Sequence, residues 1–218
     1  MIKIQTIHKS GSSLQSRVYK HINSTVGECI DFSRINTRKE IDWLGELQEV
    51  DIIVLRNPIN RLISAYYSFG WTHTDVNFSE EQFKRRKLIQ SLSLSDWVVH
   101  KGRLTYDRNV VRDILSLDKP KIIRYEDIMD HPKNFISLIV KQINRPDLLE
   151  SVYKRFKDEF IFNHKDLSDD IINKGVMSHK RTLNHNEYLE KLNESDLQVI
   201  NDIMGDVLKQ YNKIVSFP

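Results

Sequence analysis

Residues 3–22, KIQTIHKSGSSLQSRVYKHI, decide the reading of this chain. KIQTIH alternates apolar and polar residues as a strand does, and Leu14, Val18 and Ile22 then recur at helical spacing. Between them KSGSS makes a tight turn, so the order is strand, loop, helix. Gly11 allows the backbone to turn sharply, and the amides of about residues 10–14 can face an anion on the positive end of the following helix. Ser12 and Ser13 add hydroxyl donors, and Lys9 adds a mobile charge from the strand side. The loop is not the familiar nucleotide-binding GxxxxGK[ST], because its lysine precedes the glycine and no upstream glycine completes the pattern. On its own, KSGSS reads equally as a polar turn whose serine caps a helix.

Further along, ECIDF suggests a second strand and RKEIDWLGEL a helix, and the apolar run DIIVL at 51–55 reads as a buried parallel strand. Pro58 suits a first helical turn, with Asn57 as its N-cap and a helix running to Ser68. Residues 79–116 look helical, KIIRYED returns to strand, and HPKNFISLIVKQI opens a further helix at Asp130 and Pro132. Helical segments at 146–159 and 186–213 flank a polar stretch. Strands alternating with helices predict an α/β fold with a central parallel sheet and a helical C-terminal part, whose ligands bind beyond the carboxyl ends of the strands.

With 218 residues, 39% of them hydrophobic, the chain can bury a substantial core, and a single domain over residues 1–218 is expected. A formal charge of +3 suits a small anionic ligand and is too weak to argue for wholesale nucleic-acid binding. The one cysteine, Cys29, excludes an intrachain disulfide framework and a multi-cysteine zinc site. No apolar run reaches membrane-spanning length and the N-terminus lacks the apolar core of a signal peptide, so a soluble cytoplasmic protein is expected.

Two further stretches carry chemistry. In VLRNPINRLISAYYSF, residues 54–69, Arg56 ends a buried strand and Ser64 lies in the second turn of the next helix, with Arg61 on the same face as Ser64. Arg56 pairing with a carboxylate, and Ser64 as an ordinary helix residue, are the structural alternatives. In KIIRYEDIMDHP, Tyr125 can stack on or hydrogen-bond a base, and in INKGVMSHKRT the pair Lys174–Gly175 can bring backbone to a phosphate. A core tyrosine and a loop glycine explain both equally.

Taken in order along most of the chain, these pieces resemble the sulfotransferases that use 3′-phosphoadenosine 5′-phosphosulfate (PAPS). HKSGSSL is similar to the family's PKSGTTW at Lys9, Ser10, Gly11, Ser12 and Ser13, and Arg56, Pro58 and Ser64 match the spacing of its second motif. The resemblance implies a three-layer sandwich with a P-loop-like phosphosulfate-binding loop. It also implies that Lys9, Ser12 and Ser13 hold the 5′-phosphosulfate, Arg56 and Ser64 the 3′-phosphate, Tyr125 the adenine, and Lys174 and Gly175 the late RKG-like closure. RNPINRLISAY is especially similar to carbohydrate sulfotransferases, which implies a glycan or small-molecule acceptor. His8 replaces the family's usual proline, and Leu14 the tryptophan that many members stack on adenine.

Sulfuryl transfer needs in-line geometry, neutralisation of the leaving phosphate and a base for the acceptor proton. By the resemblance Lys9 serves the leaving group, 3′,5′-ADP is the product, and no metal is required. The base is expected among the ionisable groups near the second strand, Asp31 first and Glu28 second, with His73 in GWTHTD, after the second motif's helix, third. The run KRRK, 84–87, reads as a solvated helix face or as a grip on an acidic acceptor. Two other readings stay open: a nucleotide-dependent P-loop kinase, which would need a Walker-type GK[ST] and a metal-binding acid, and a non-catalytic module for anionic ligands.

Overall fold

The computed structural model describes residues 1–7, 9–35, 47–72, 79–160 and 187–217. It is an α/β protein whose sheet is parallel throughout. The chain divides into two compact units, one made of residues 1–57, 110–162 and 209–218, the other of residues 58–109 and 163–208.

The first unit holds the whole sheet. Strand β1 (Ile2–Ile7) leads into helix α1 (Ser12–Val26), then β2 (Ile30–Ile35) and β3 (Ile52–Leu55). All four residues of β3 are buried, as expected of a continuous apolar run covered on both faces. The strands lie in the order β2-β1-β3-β4, β4 being Lys121–Arg124. Thr6 is level with Val54 and Val54 with Ile123, so β1, β3 and β4 end together.

Ile7, Ile35, Ile53 and Leu55 pack with Val110, Ile114 and Tyr211 in one core cluster. Even-numbered positions of β1, β2 and β3 serve the opposite face, where the Tyr19 ring of α1 lies 5.0 Å from Phe32 and 6.3 Å from Phe135. Helices thus cover both faces, compatible with a three-layer α/β fold. The expected α1 stripe is shifted by one residue at its start: Gln15, Val18, Tyr19 and Ile22 are buried, and Leu14 is only half-buried. The cause is a hydrogen bond, because Gln15 turns inward to donate Nε2–H to the Ser10 carbonyl at 2.6 Å.

Among the described residues, the second unit is helical. It begins with α2 (Pro58–Tyr67), which continues as a π-helical turn at Ser68–Thr72 where the sequence predicted a plain helix end. Then come α3 (Glu80–Gln90), opened by a reciprocal capping box of Ser79 and Gln82, α4 (Leu94–Val98) and α5 (Lys101–Leu115), whose last turns belong to the first unit. Trp97, Leu104, Tyr66 and Tyr67 are buried here.

Past β4 the first unit resumes. The predicted strand KIIRYED ends at Arg124, and Tyr125–Asp130 form helix α6, since Glu126 and Asp127 favour a first helical turn. Helices α7 (Pro132–Gln142) and α8 (Leu149–Phe160) follow. Helix α9 (Glu187–Lys191) and the greater part of α10 (Glu194–Tyr211) belong to the second unit, and the last turn of α10 returns to the first. Among the described residues no helix is long and apolar enough to cross a membrane. Most of the predicted helix RKEIDWLGEL, and all of Lys174, Gly175, His73 and His8, lie outside the described residues.

Candidate functional site

The strand order places a reversal between β1 and β3. From β1 the chain moves to β2 on one side, and from β3 to β4 on the other, which opens a crevice at the carboxyl ends of these two central strands. Lys9, Arg56 and Tyr125 are the next residues out at that edge, one or two positions past the level ends of β1, β3 and β4.

The loop after β1 is a tight turn. The Ser10 N–H donates to the Ile7 carbonyl at 3.1 Å, and the residue before it, Lys9, has φ 71. A lysine in the left-handed region is strained by roughly 1–3 kcal/mol, the kind of outlier that clusters at functional positions. Gly11 follows at φ 74 and stands at the N-cap of α1. It is glycine for a second reason: a Cβ there would meet the Tyr125 ring at 2.3 Å.

No side chain caps α1, so the serine cap offered as the plain reading of KSGSS is not formed. The first helical hydrogen bond runs from the Gln15 N–H to the Gly11 carbonyl, and the amides of Ser12 to Leu14 point off the helix end. Ser12 is half-buried and Ser13 exposed. Ser10 differs from its neighbours. It is fully buried, its N–H is used within the turn, and its Oγ has no hydrogen-bond partner among the described residues. Its carbonyl accepts from Gln15 Nε2 and from Thr6 Oγ1. Ser10 thus belongs to the frame of the loop, with its N–H and its carbonyl both used within it.

Arg56 closes the site from β3. Its guanidinium donates to the Lys9 carbonyl at 3.2 Å and lies over the Tyr125 ring, 5.3 Å from the centroid. The carboxylate partner considered from sequence is absent among the described residues, so most of its five donors stay available. Tyr125 is packed between the loop glycine and this arginine, and burial pushes its phenol up despite the opposing Arg56 charge. It braces the two loops from beneath.

Asp31 and Glu28, expected as bases, lie toward the amino edge of the sheet. Asp31 pairs in register with Lys3 near the start of β1, and Glu28 precedes β2. At about 3.3 Å per residue the four steps from Asp31 to Ile35 put its backbone roughly 13 Å from the carboxyl edge. Ser64 stands half-buried in the second turn of α2, in the second unit. Within that unit Arg61 is drawn to the buried Asp107 at 2.6 Å, an ion pair that explains the side chain.

KRRK divides, with Lys84 and Lys87 exposed and Arg85 and Arg86 half-buried. Lys84 pairs with Glu80 at 2.7 Å, while Arg85 lies 4.8 Å over the Phe69 ring and Arg86 donates to the Phe69 carbonyl. The described residues contain no group of three or more His, Cys, Asp or Glu arranged to hold a metal ion.

Sequence reasoning missed Thr6, Gln15, Glu126 and Tyr211, which hold the site from behind. Their one sequence signal was a polar letter inside an apolar pattern, as with Gln15 on the buried side of α1. Comparison of the chain with family models, with curated proteins and with solved structures finds no match.

Proposed function

We propose that this chain is a PAPS-dependent sulfotransferase whose KSGSS turn is a P-loop-like phosphosulfate-binding loop in a three-layer α/β sandwich. The observation that carries the reading is the joining of Arg56 to the Lys9 carbonyl across the crevice between β1 and β3, beside an uncapped helix N-terminus. A lysine strained into the left-handed region after β1 and the arginine that follows β3 meet there, carbonyl to guanidinium, where a parallel sheet binds ligands. A 5′-phosphosulfate suits the amides of Ser12 and Ser13 with Lys9, and a 3′-phosphate suits the open fork of Arg56. PAPS supplies the activated sulfuryl group; the chain supplies binding, orientation and positive charge.

Lys9 is the residue to neutralise the leaving phosphate, a contribution worth roughly 3 kcal/mol or more where such groups are removed. A hydroxyl or amine of a glycan or small molecule is the acceptor. Titration calorimetry with 3′,5′-ADP, 5′-AMP and ATP with magnesium tests the reading. Tight binding that needs the 3′-phosphate is expected; a preference for ATP with magnesium would refute it and favour a kinase. With radiolabelled PAPS, Lys9→Ala is expected to lose transfer by about a hundredfold or more.

A further inference from the structure

Glu126, the residue after Tyr125, is a buried carboxylate at 6% exposure, and its two oxygens serve different elements. Oε1 accepts the Asn57 N–H at 3.0 Å, and Oε2 accepts the Tyr211 hydroxyl. Among the described residues no lysine, arginine or histidine forms an ion pair with it. A buried carboxylate held only by neutral donors is costly to keep, and an apolar side chain would fill the same space more cheaply.

The Asn57 N–H belongs to the peptide unit that follows Arg56, so anchoring it fixes the base from which the Arg56 side chain projects. Tyr211, at 2% exposure, is the last residue of α10, and its hydroxyl also lies 3.4 Å from the Leu55 carbonyl that ends β3. Five residues on, the Ser216 hydroxyl donates to Asp127 Oδ2 at 2.5 Å and accepts the Arg124 N–H at 2.8 Å. Two hydroxyls of the C-terminal segment thus clasp two consecutive carboxylates at the end of β4.

We propose that Glu126 is a positioning residue of the anion site: it holds the Arg56–Asn57 peptide in place and is itself held by Tyr211. This rests on the anion-binding reading of Arg56 given above. Tyr125 and Glu126 then divide one task, the ring bracing Gly11 and Arg56 and the carboxylate fixing the backbone behind Arg56.

Glu126→Gln and Tyr211→Phe, which keep shape and remove charge or hydroxyl alone, test this together with Arg56→Ala and the Arg56→Ala/Glu126→Gln double variant. Affinities for 3′,5′-ADP and 5′-AMP, and the exchange rate of the Asn57 amide, are the readouts. Glu126→Gln is expected to weaken 3′,5′-ADP about tenfold and 5′-AMP little, and to speed Asn57 exchange, with Tyr211→Phe following in the same direction. In the Arg56→Ala background the Glu126→Gln effect should vanish, because the two act on one contact. An equal loss for both nucleotides, or full additivity, would overturn the positioning role and leave Glu126 a fold residue. A wild type that does not distinguish the nucleotides would instead overturn the sulfotransferase reading. Asn57 exchange would then decide the role of Glu126, and a rate unchanged in Glu126→Gln would overturn it.

Discussion

The two edges of the parallel sheet carry charge in opposite ways. At the amino edge, Lys3 reaches Glu49 at 3.0 Å with both side chains in solvent, and the Lys3 amide donates to Asp51 at 2.8 Å. These charges satisfy one another. At the carboxyl edge, Lys9 and Arg56 are half-buried, their loops are joined to each other, and the acids behind them, Glu126 and Asp127, are tied to Tyr211 and to Arg124 with Ser216. There the Arg56 guanidinium is tied to a backbone carbonyl, and both acids are tied to hydroxyls or to Arg124. A salt bridge in water is worth little, whereas groups tied into a buried frame keep their geometry.

Glycine substitutions break this comparison most strongly. Gly11→Ala must take a left-handed conformation and push a Cβ into Tyr125, a combined cost on the order of 2–5 kcal/mol. At the other end of α1, Gly27 has φ 90 and open space around it, so Gly27→Ala carries backbone strain alone, about 1–3 kcal/mol. Thermal melts should show both losses. Titration should show at least a tenfold loss of 3′,5′-ADP affinity for Gly11→Ala and none for Gly27→Ala; equal binding by the two variants would remove Gly11 from the site.

Charge removal sharpens the contrast next. Arg56→Ala should weaken 3′,5′-ADP by about tenfold or more, the value of a charge-assisted hydrogen bond, and Asp31→Asn should leave both affinity and sulfuryl transfer unchanged. A transfer rate that falls with Asp31→Asn would contradict the assignment of that residue to the amino edge.

The smallest effect is a pH dependence of the frame. Burial opposes ionisation of Asp127, but Arg124 and the Ser216 hydroxyl outweigh it and hold the carboxyl below its ordinary value of 3.8. A depressed value in the folded state means stability that is present above pH 3.8 and is lost as pH falls through the lowered folded value. Asp127→Asn should therefore lower the melting temperature by a few degrees near neutral pH and by progressively less in acid. Lys3→Ala, at the exposed edge, should leave it unchanged at every pH.

Much of this was legible in the sequence. The alternation of KIQTIH, the buried run IIVL and the glycine after Lys9 are local signals, and each became the expected element. Arg56 was correctly placed at a strand end because the apolar run stops there. Asp31 was misplaced because ECIDF announces a strand without saying which end of it meets the loop; the pairing of Lys3 with Asp31 settles that across 28 residues of chain. Tyr125 and Glu126 looked like strand because KII precedes them, and became the first turn of a helix. Ser10 looked like its neighbours and is the one serine of the three that is fully buried.

The sequence by itself determined the alternation of strands and helices, the turn at Gly11 and the identity of the two cations, since all three depend on neighbours within a few residues. Tertiary structure alone decided which edge each acid occupies and which groups hold the site from behind. The bonds of Glu126 to Asn57 and Tyr211 span 69 and 85 residues, and hydrogen bonds of that reach are set by strand order and register, which no local pattern encodes.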